Sequence, residues 1–333
     1  MGLIAIAVNP ASGRDIRRLV SKATVYSNKD KINTVERIIL TACQLGEHRF
    51  VLMPEPSQIG LQLARNLENE LHLIPEGTVS TAVYTISESL KDTARFAEYA
   101  ESQGASCLIV LGGDGTSRAA AKSDFSIPMI ALSTGTNNVF PEMAEGTHVG
   151  MVAAALDDGA ADLSRCTYRS KRIEIFRNDT FTDIALVDAV FSRVAYSGSK
   201  AIWERDDIER VVVSRCHPSS IGFSSLLGSI YQISPTDDGG AAADCTEGQP
   251  NVRTALAAGV ITPFRLENIQ KIPMDTPVSW TMDHAGTIAL DGEREVRFSP
   301  GDEISVRITR KGPLRVLLDA ALSSAQEHGF FSL

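Results

Sequence analysis

Positive charge and tryptophan are both scarce in this chain: 32 Lys and Arg stand against 41 Asp and Glu, and there are two Trp in 333 residues. A net charge of -9 with no local Lys/Arg cluster excludes a protein that works by neutralising a nucleic-acid backbone. No apolar run approaches the roughly 18 residues that a bilayer span needs. The five cysteines, Cys43, Cys107, Cys166, Cys216 and Cys245, are far apart, and no pair has metal-ligand spacing; this fits reduced thiols in a cytoplasmic protein. The apolar opening 2–8 has no basic segment before it and runs into Asn9-Pro10, so it reads as a strand and not a signal peptide. Ile6 stands where a myristoylation site needs Ser or Thr. The motifs GxxxxGK(S/T), HExxH and GxSxG are all missing, which removes the P-loop, simple metalloprotease and α/β-hydrolase readings. The six histidines are scattered, and Cys216-His217 has no third partner. They are read as structural or surface groups.

What the chain does have is 43% hydrophobic residues, 25 glycines and a length that favours two domains. Up to about residue 160, short apolar runs at 3–8, 50–53, 81–86, 106–111 and 128–132 alternate with helix-like stretches at 32–45, 58–71, 90–103, 117–122 and 149–156. That alternation predicts a doubly wound, mainly parallel α/β domain over 1–160. Ser89 and Asp92 form a capping-box start for the third helix, and Gly104 stops it. From about Arg169 the period changes to two, as in 172–177 and 303–308, predicting a mostly antiparallel, β-sandwich-like domain over 165–312. The polar, low-complexity segment 235–251 reads as a mobile loop. The tail 313–333 reverts to an apolar run and a helix, and is assigned back to the first domain.

The chemistry concentrates at predicted strand ends. Gly112-Gly113-Asp114-Gly115-Thr116 closes the strand at 106–111 and enters a helix, so the backbone can approach a phosphate closely and helix-start N–H groups can face it. Asp114 beside phosphate oxygens would ligate Mg²⁺ or accept a proton from an attacking hydroxyl; the alternative is a tight turn with Asp114 as its N-cap. Asn9-Pro10-Ala11-Ser12-Gly13 follows the first strand, and Ser133-Thr134-Gly135-Thr136-Asn137-Asn138 follows the fifth. Doubly wound sheets bind ligands at that edge.

Together these three loops resemble those of the NAD kinase and diacylglycerol kinase superfamily. Within it the stretch Leu132-Ser-Thr-Gly-Thr-Asn-Asn-Val-Phe-Pro-Glu142 is similar to the acetoin-catabolism protein X group. The resemblance implies an NAD kinase-like fold and an ATP-dependent, Mg²⁺-assisted kinase with its site between two domains. Asp114 would be the catalytic and metal-linked acid. Gly112, Gly113, Gly115 and Thr116 would hold nucleotide phosphates, and Asn9, Ser12, Gly13, Thr136, Asn137 and Asn138 would line the nucleotide side. Asp291-Gly292-Glu293 matches an Asp-Gly-Glu of the lipid-kinase branch, which puts Glu293 across the cleft from Asp114; an Asp-Gly hairpin turn is the plain reading of the same residues.

Two departures bear on the substrate. The Asn-Glu pair with which NAD kinases help hold the dinucleotide has its nearest match in Val187-Asp188, where Asp188 is either a substrate-side acid or a strand residue facing solvent, the latter the favoured reading. The Asn-Glu helix start of the lipid branch is replaced by Ser117-Arg118. The resulting expectation is a cytoplasmic homo-oligomer that phosphorylates a hydroxyl of NAD or a related small molecule. A lipid kinase and a non-catalytic nucleotide-binding regulator are the alternatives.

Overall fold

A computed structural model describes residues 2–12, 26–135, 137–194 and 205–332. The first region runs β1 (Leu3–Val8), α1 (Asn28–Leu45), β2 (Arg49–Leu52), α2 (Ile59–Ala64), a π-helical continuation (Arg65–Glu70), β3 (Val79–Thr81), α3 (Leu90–Ser102), β4 (Cys107–Gly112), α4 (Asp114–Ala121), β5 (Met129–Ser133), α5 (Gly146–Asp157), α6 (Leu163–Cys166) and β6 (Thr167–Arg169). Strand side chains alternate between two cores: Ile4, Ile6 and Val8 pack with α1 and α5, while Ala5 and Ala7 pack with Phe96, Ala97 and Ala120 of α3 and α4. Helices therefore cover both faces, as continuous apolar strands require. α1 starts four residues before the predicted 32, because Ser27 and Asp30 form a capping box. β3 lies earlier and is shorter than the predicted 81–86. The backbone beyond it is committed elsewhere: Ser87 N–H donates to Asp92 and Thr85 C=O accepts from Arg95.

The second region contains β7 (Arg172–Arg177), β8 (Thr180–Ala185), β9 (Asp188–Ser192), β10 (Ile208–Val213), α7 (Ser224–Gly228), β11 (Gly240–Thr246), β12 (Val252–Ala257), β13 (Val260–Ile272), β14 (Val278–Thr281), β15 (Gly286–Leu290), β16 (Glu293–Phe298) and β17 (Glu303–Thr309). They make an antiparallel sheet in the order β12-β13-β11-β10-β9-β15-β16 and a second in the order β14-β17-β7-β8. Phe191, Ile288 and Leu290 of one sheet meet Ile173, Ile304 and Val306 of the other, and α7 covers the larger sheet's outer face through Leu226 and Leu227.

The expected mobile loop at 235–251 is corrected here: β11 occupies its centre and pairs with both β10 and β13. Its Gly and Ala residues are small because the space is small. A Cβ on Gly240 would lie 2.1 Å from the carbonyl oxygen of Val213. After β17 the chain forms β18 (Leu314–Val316), parallel to β5 and antiparallel to β6, and α8 (Leu318–Glu327), whose Ala321 and Ala325 join the α1–α5 core. The first sheet thus reads β3-β2-β1-β4-β5-β18-β6. All five cysteines are free, and among the described residues no helix is long and apolar enough to cross a membrane.

Candidate active site

β1, β4 and β5 are neighbours at the centre of the parallel sheet, so the loops that leave their C-terminal ends share one edge. Side chains stitch these loops together. Asn9 Nδ2 donates to Thr116 Oγ1 at 3.0 Å, and the Ser12 and Thr134 hydroxyls lie 3.1 Å apart. Asn138 Nδ2 donates to Ser133 Oγ at 2.8 Å, and Thr134 N–H to Gly112 C=O at 3.1 Å. Lys31, fully buried on α1, donates to the carbonyls of Asn9, Pro10 and Ser12 and so fixes the first loop from below. Sequence reasoning missed Lys31, since one basic residue on an amphipathic helix carries no signal of its destination.

In the Gly112–Thr116 turn, Gly112 and Gly113 are required by space. A Cβ on Gly112 would fall 2.4 Å from Thr116 Cβ, and one on Gly113 would lie 2.8 Å from Asn138 Oδ1. Gly113 is the N-cap of α4, and Asp114 is its first helical residue, so Asp114 is not the cap. Its carboxylate turns across to the third loop, accepting from Phe140 N–H at 2.7 Å and from Val139 N–H at 3.1 Å. Backbone donors therefore hold the acid beside the turn, half-buried.

The second region reaches the same turn through the β15–β16 hairpin. Asp291 and Gly292 have φ of 49° and 88°, the two positive values of a type I′ turn. The turn is also a fastening: the Asp291 carboxylate accepts from the N–H groups of Leu186, Val187 and Asp188 at 2.8, 2.8 and 3.1 Å. Burial pushes the Asp291 carboxyl up from its ordinary value, against the pull of Arg118 and those donors. Arg118 of α4, fully buried, lies with Nη1 3.4 Å from Asp183 and Nε 4.0 Å from Asp291, and Lys122 donates to Asp183 at 2.9 Å. This brings Glu293 to Gly115, where a Cβ would lie 3.2 Å from Glu293 Oε1.

The favoured solvent-facing reading of Asp188 is wrong. The residue is buried at the start of β9, a strand paired on both sides by β10 and β15. Asn137 is half-buried in the third loop; Gly13 and Thr136 lie outside the described residues. Arg215 and Arg315 escaped the sequence reading too, although their guanidinium carbons lie 4.9 and 5.2 Å from the Phe140 ring centroid.

Comparisons with known proteins bear on the family and the fold. Residues 4–160 match the family model of the ATP-NAD kinase N-terminal domain, and residues 171–311 match that of the acetoin catabolism protein X C-terminal domain. The solved structure of yeast NADH kinase complexed with NADH shares the fold, with a TM-score of 0.57 at 14% identity over 100% of this chain and 89% of that one. Acetoin catabolism protein X of Cupriavidus necator is 32% identical over 316 residues, 92% of this chain and 87% of the relative. The chain belongs to the acetoin catabolism protein X family, built on the NAD kinase fold.

Proposed function

We propose that this protein transfers the γ-phosphoryl group of ATP to a hydroxyl of NAD or a related small molecule. The observation that carries the reading is the convergence at one turn of three cross-linked strand-end loops, the held carboxylate of Asp114, and Glu293 from the other region. In this reading Gly112, Gly113, Gly115 and Thr116 cradle phosphates, Asn9, Ser12, Asn137 and Asn138 face the nucleotide, and Asp188 and Glu293 stand on the acceptor side. The acceptor oxygen bonds to the γ-phosphorus, the bridging bond to ADP breaks, and the hydroxyl proton passes to Asp114.

Asp114, a carboxylate held beside the glycine turn, is the residue that would hold a magnesium ion whose other ligands are phosphate and water oxygens. Bound there, Mg²⁺ would neutralise charge developing on the phosphoryl oxygens. The side chains orient: two backbone N–H donors fix the Asp114 carboxylate beside the turn, where in this reading it takes the acceptor's proton.

The same two donors favour one further reading, a nucleotide-binding regulator in which Asp114 is purely structural. ADP release from Mg-ATP, measured across NAD, NADH, lipid micelles and small hydroxy compounds, separates the readings. Acceptor-dependent ADP with NAD or a small hydroxy compound is expected, and Asp114→Asn should retain ATP binding while losing most turnover. Tight ATP binding without release for any acceptor favours the regulator, and release with micelles alone makes the acceptor a lipid.

A further inference from the structure

Among the described residues, one buried guanidinium near this site has nitrogens that meet no hydrogen-bond acceptor. Arg215 follows β10, where Ser214 is fixed by N–H donation to Val187 C=O and hydroxyl donation to Leu186 C=O. These are the two residues just before Asp188, in the segment that Asp291 also holds. The Arg215 side chain is 5% exposed, and its Nε and Nη2 are buried with no hydrogen-bond partner among the described residues. One face of the guanidinium rests on the Phe140 ring, and the backbone N–H of that same Phe140 donates to Asp114. A single residue therefore separates Arg215 from the candidate catalytic acid.

The surroundings add positive charge. Arg315 lies against the same ring, but it donates to Ala131 C=O and to the Glu142 carboxylate. Lys171, also buried, donates to the carbonyls of Ser234 and Gly239. Its ammonium is pushed down to about 8, first by burial and next by the Arg215 charge. Of the three cations, Arg315 and Lys171 have acceptors, whereas Arg215 Nε and Nη2 have none among the described residues. A guanidinium taken out of water with unused donors is costly unless something negative meets it, and its planar fork suits phosphate oxygens.

We propose that Arg215 is the oxyanion-binding residue of the acceptor subsite, so that the acceptor carries a phosphate group in addition to the hydroxyl it presents. This deepens the kinase reading and rests on it for the word acceptor; the binding site itself does not depend on turnover. Cation–π contact with Phe140 offsets part of the burial cost, and the Arg315 and Lys171 charges raise the local potential. A dinucleotide pyrophosphate and a simple sugar phosphate supply the same chemistry.

The test is calorimetric binding of NAD, inorganic pyrophosphate, a sugar phosphate and uncharged adenosine to the wild type and to Arg215→Met, with the melting temperature of each unliganded protein. The expected result is that the wild type binds at least one phosphate-bearing probe and Arg215→Met weakens it at least tenfold, with adenosine unaffected. The unliganded variant should melt at the same temperature or higher, because a buried charge with unused donors has been removed. Equal binding by both proteins, no binding of any phosphate probe by the wild type, or a clear fall in the variant's melting temperature would each overturn the assignment; the last makes Arg215 a structural cation–π group. Arg215→Lys keeps the charge without the fork and should recover only part of the affinity. If these binding results hold but no acceptor releases ADP, the kinase reading fails and the phosphate site stands.

Discussion

Asp291 offers the sharpest test of how the two regions are joined. Truncation to Ala would strand three backbone N–H groups and leave Arg118 facing one acid fewer. Unmet buried donors cost about 1–3 kcal/mol each, and breaking a buried ion pair costs about 3–5 kcal/mol. Together these rival the whole stability of a domain, roughly 5–15 kcal/mol, so Asp291→Ala is expected not to fold. Asp291→Asn is the informative change. Asn tolerates the φ of 49° at this position, and its oxygen can still serve Val187 and Asp188. The amide group replaces the oxygen that accepts from Leu186 and faces Arg118, so a loss of about 3 kcal/mol is expected, from one unmet donor and part of a buried pair. Urea unfolding followed by circular dichroism measures it, alongside Arg118→Met and the double variant. Because the Met side chain removes the cation that has lost one of its two acids, the double variant should be more stable than the sum of the single losses implies, by at least about 1 kcal/mol. Strict additivity, or an Asp291→Asn protein within about 0.5 kcal/mol of wild type, would show that Arg118 and Asp291 do not act as a unit.

Gly115→Ala puts a methyl 3.2 Å from Glu293 Oε1 and gains helix propensity of up to about 1 kcal/mol; unfolding should show equal or higher stability while acceptor-dependent ADP release falls several-fold, and unchanged release would detach Glu293 from the chemistry. Gly150→Ala places a Cβ 2.6 Å from the Ile38 carbonyl oxygen and 2.8 Å from Thr41 Cβ, so α1 and α5 must part at a cost of about 1–3 kcal/mol, visible as a lower melting temperature that an unchanged value would contradict. Lys171→Met tests the buried ammonium by pH. Its native value of about 8 lies below the ordinary 10.5, so between them the unfolded state binds the extra proton and wild-type stability rises with pH. The variant's advantage should be greatest below pH 8 and shrink by up to about 3 kcal/mol toward pH 10.5; a stability difference that is flat in pH would refute it.

The legible parts of the fold were those whose signal is local. β1, β4 and β5 are apolar runs buried on both faces, and their loops announce themselves by small polar residues and glycine. β11 was illegible because its reason is remote: Gly240-Ala-Ala-Ala looks like a linker until Val213 and Ile308 are seen to leave no room above Gly240. Lys31, Arg118 and Arg215 were missed for the same cause. Each is a lone cation with no periodic pattern, and its meaning lies in partners far along the chain, such as Asp183 and Asp291 for Arg118. Asp188 was misjudged because one-sided exposure was assumed for a strand that lies inside a covered sheet.

The net charge of -9 describes the whole chain and conceals how charge is distributed inside it. Lys31, Arg118, Arg215 and Arg315 are all at least nine-tenths buried, and their contacts lie along the candidate site: Lys31 under the first loop, Arg118 behind the glycine turn, Arg215 and Arg315 against the residue that holds Asp114. Charges removed from solvent are weakly screened, so these four interior cations act on that edge with less screening than exposed acids elsewhere. α4 makes the arrangement mechanical as well as electrostatic. Gly115 and Arg118 are three residues apart on that helix, hence on one face, so the helix that carries the turn also grips Asp183 and Asp291 of the second region. A displacement of that region relative to α4 strains the Arg118 contacts and shifts Glu293 from Gly115 together, which ties the integrity of the seam to the geometry of the site.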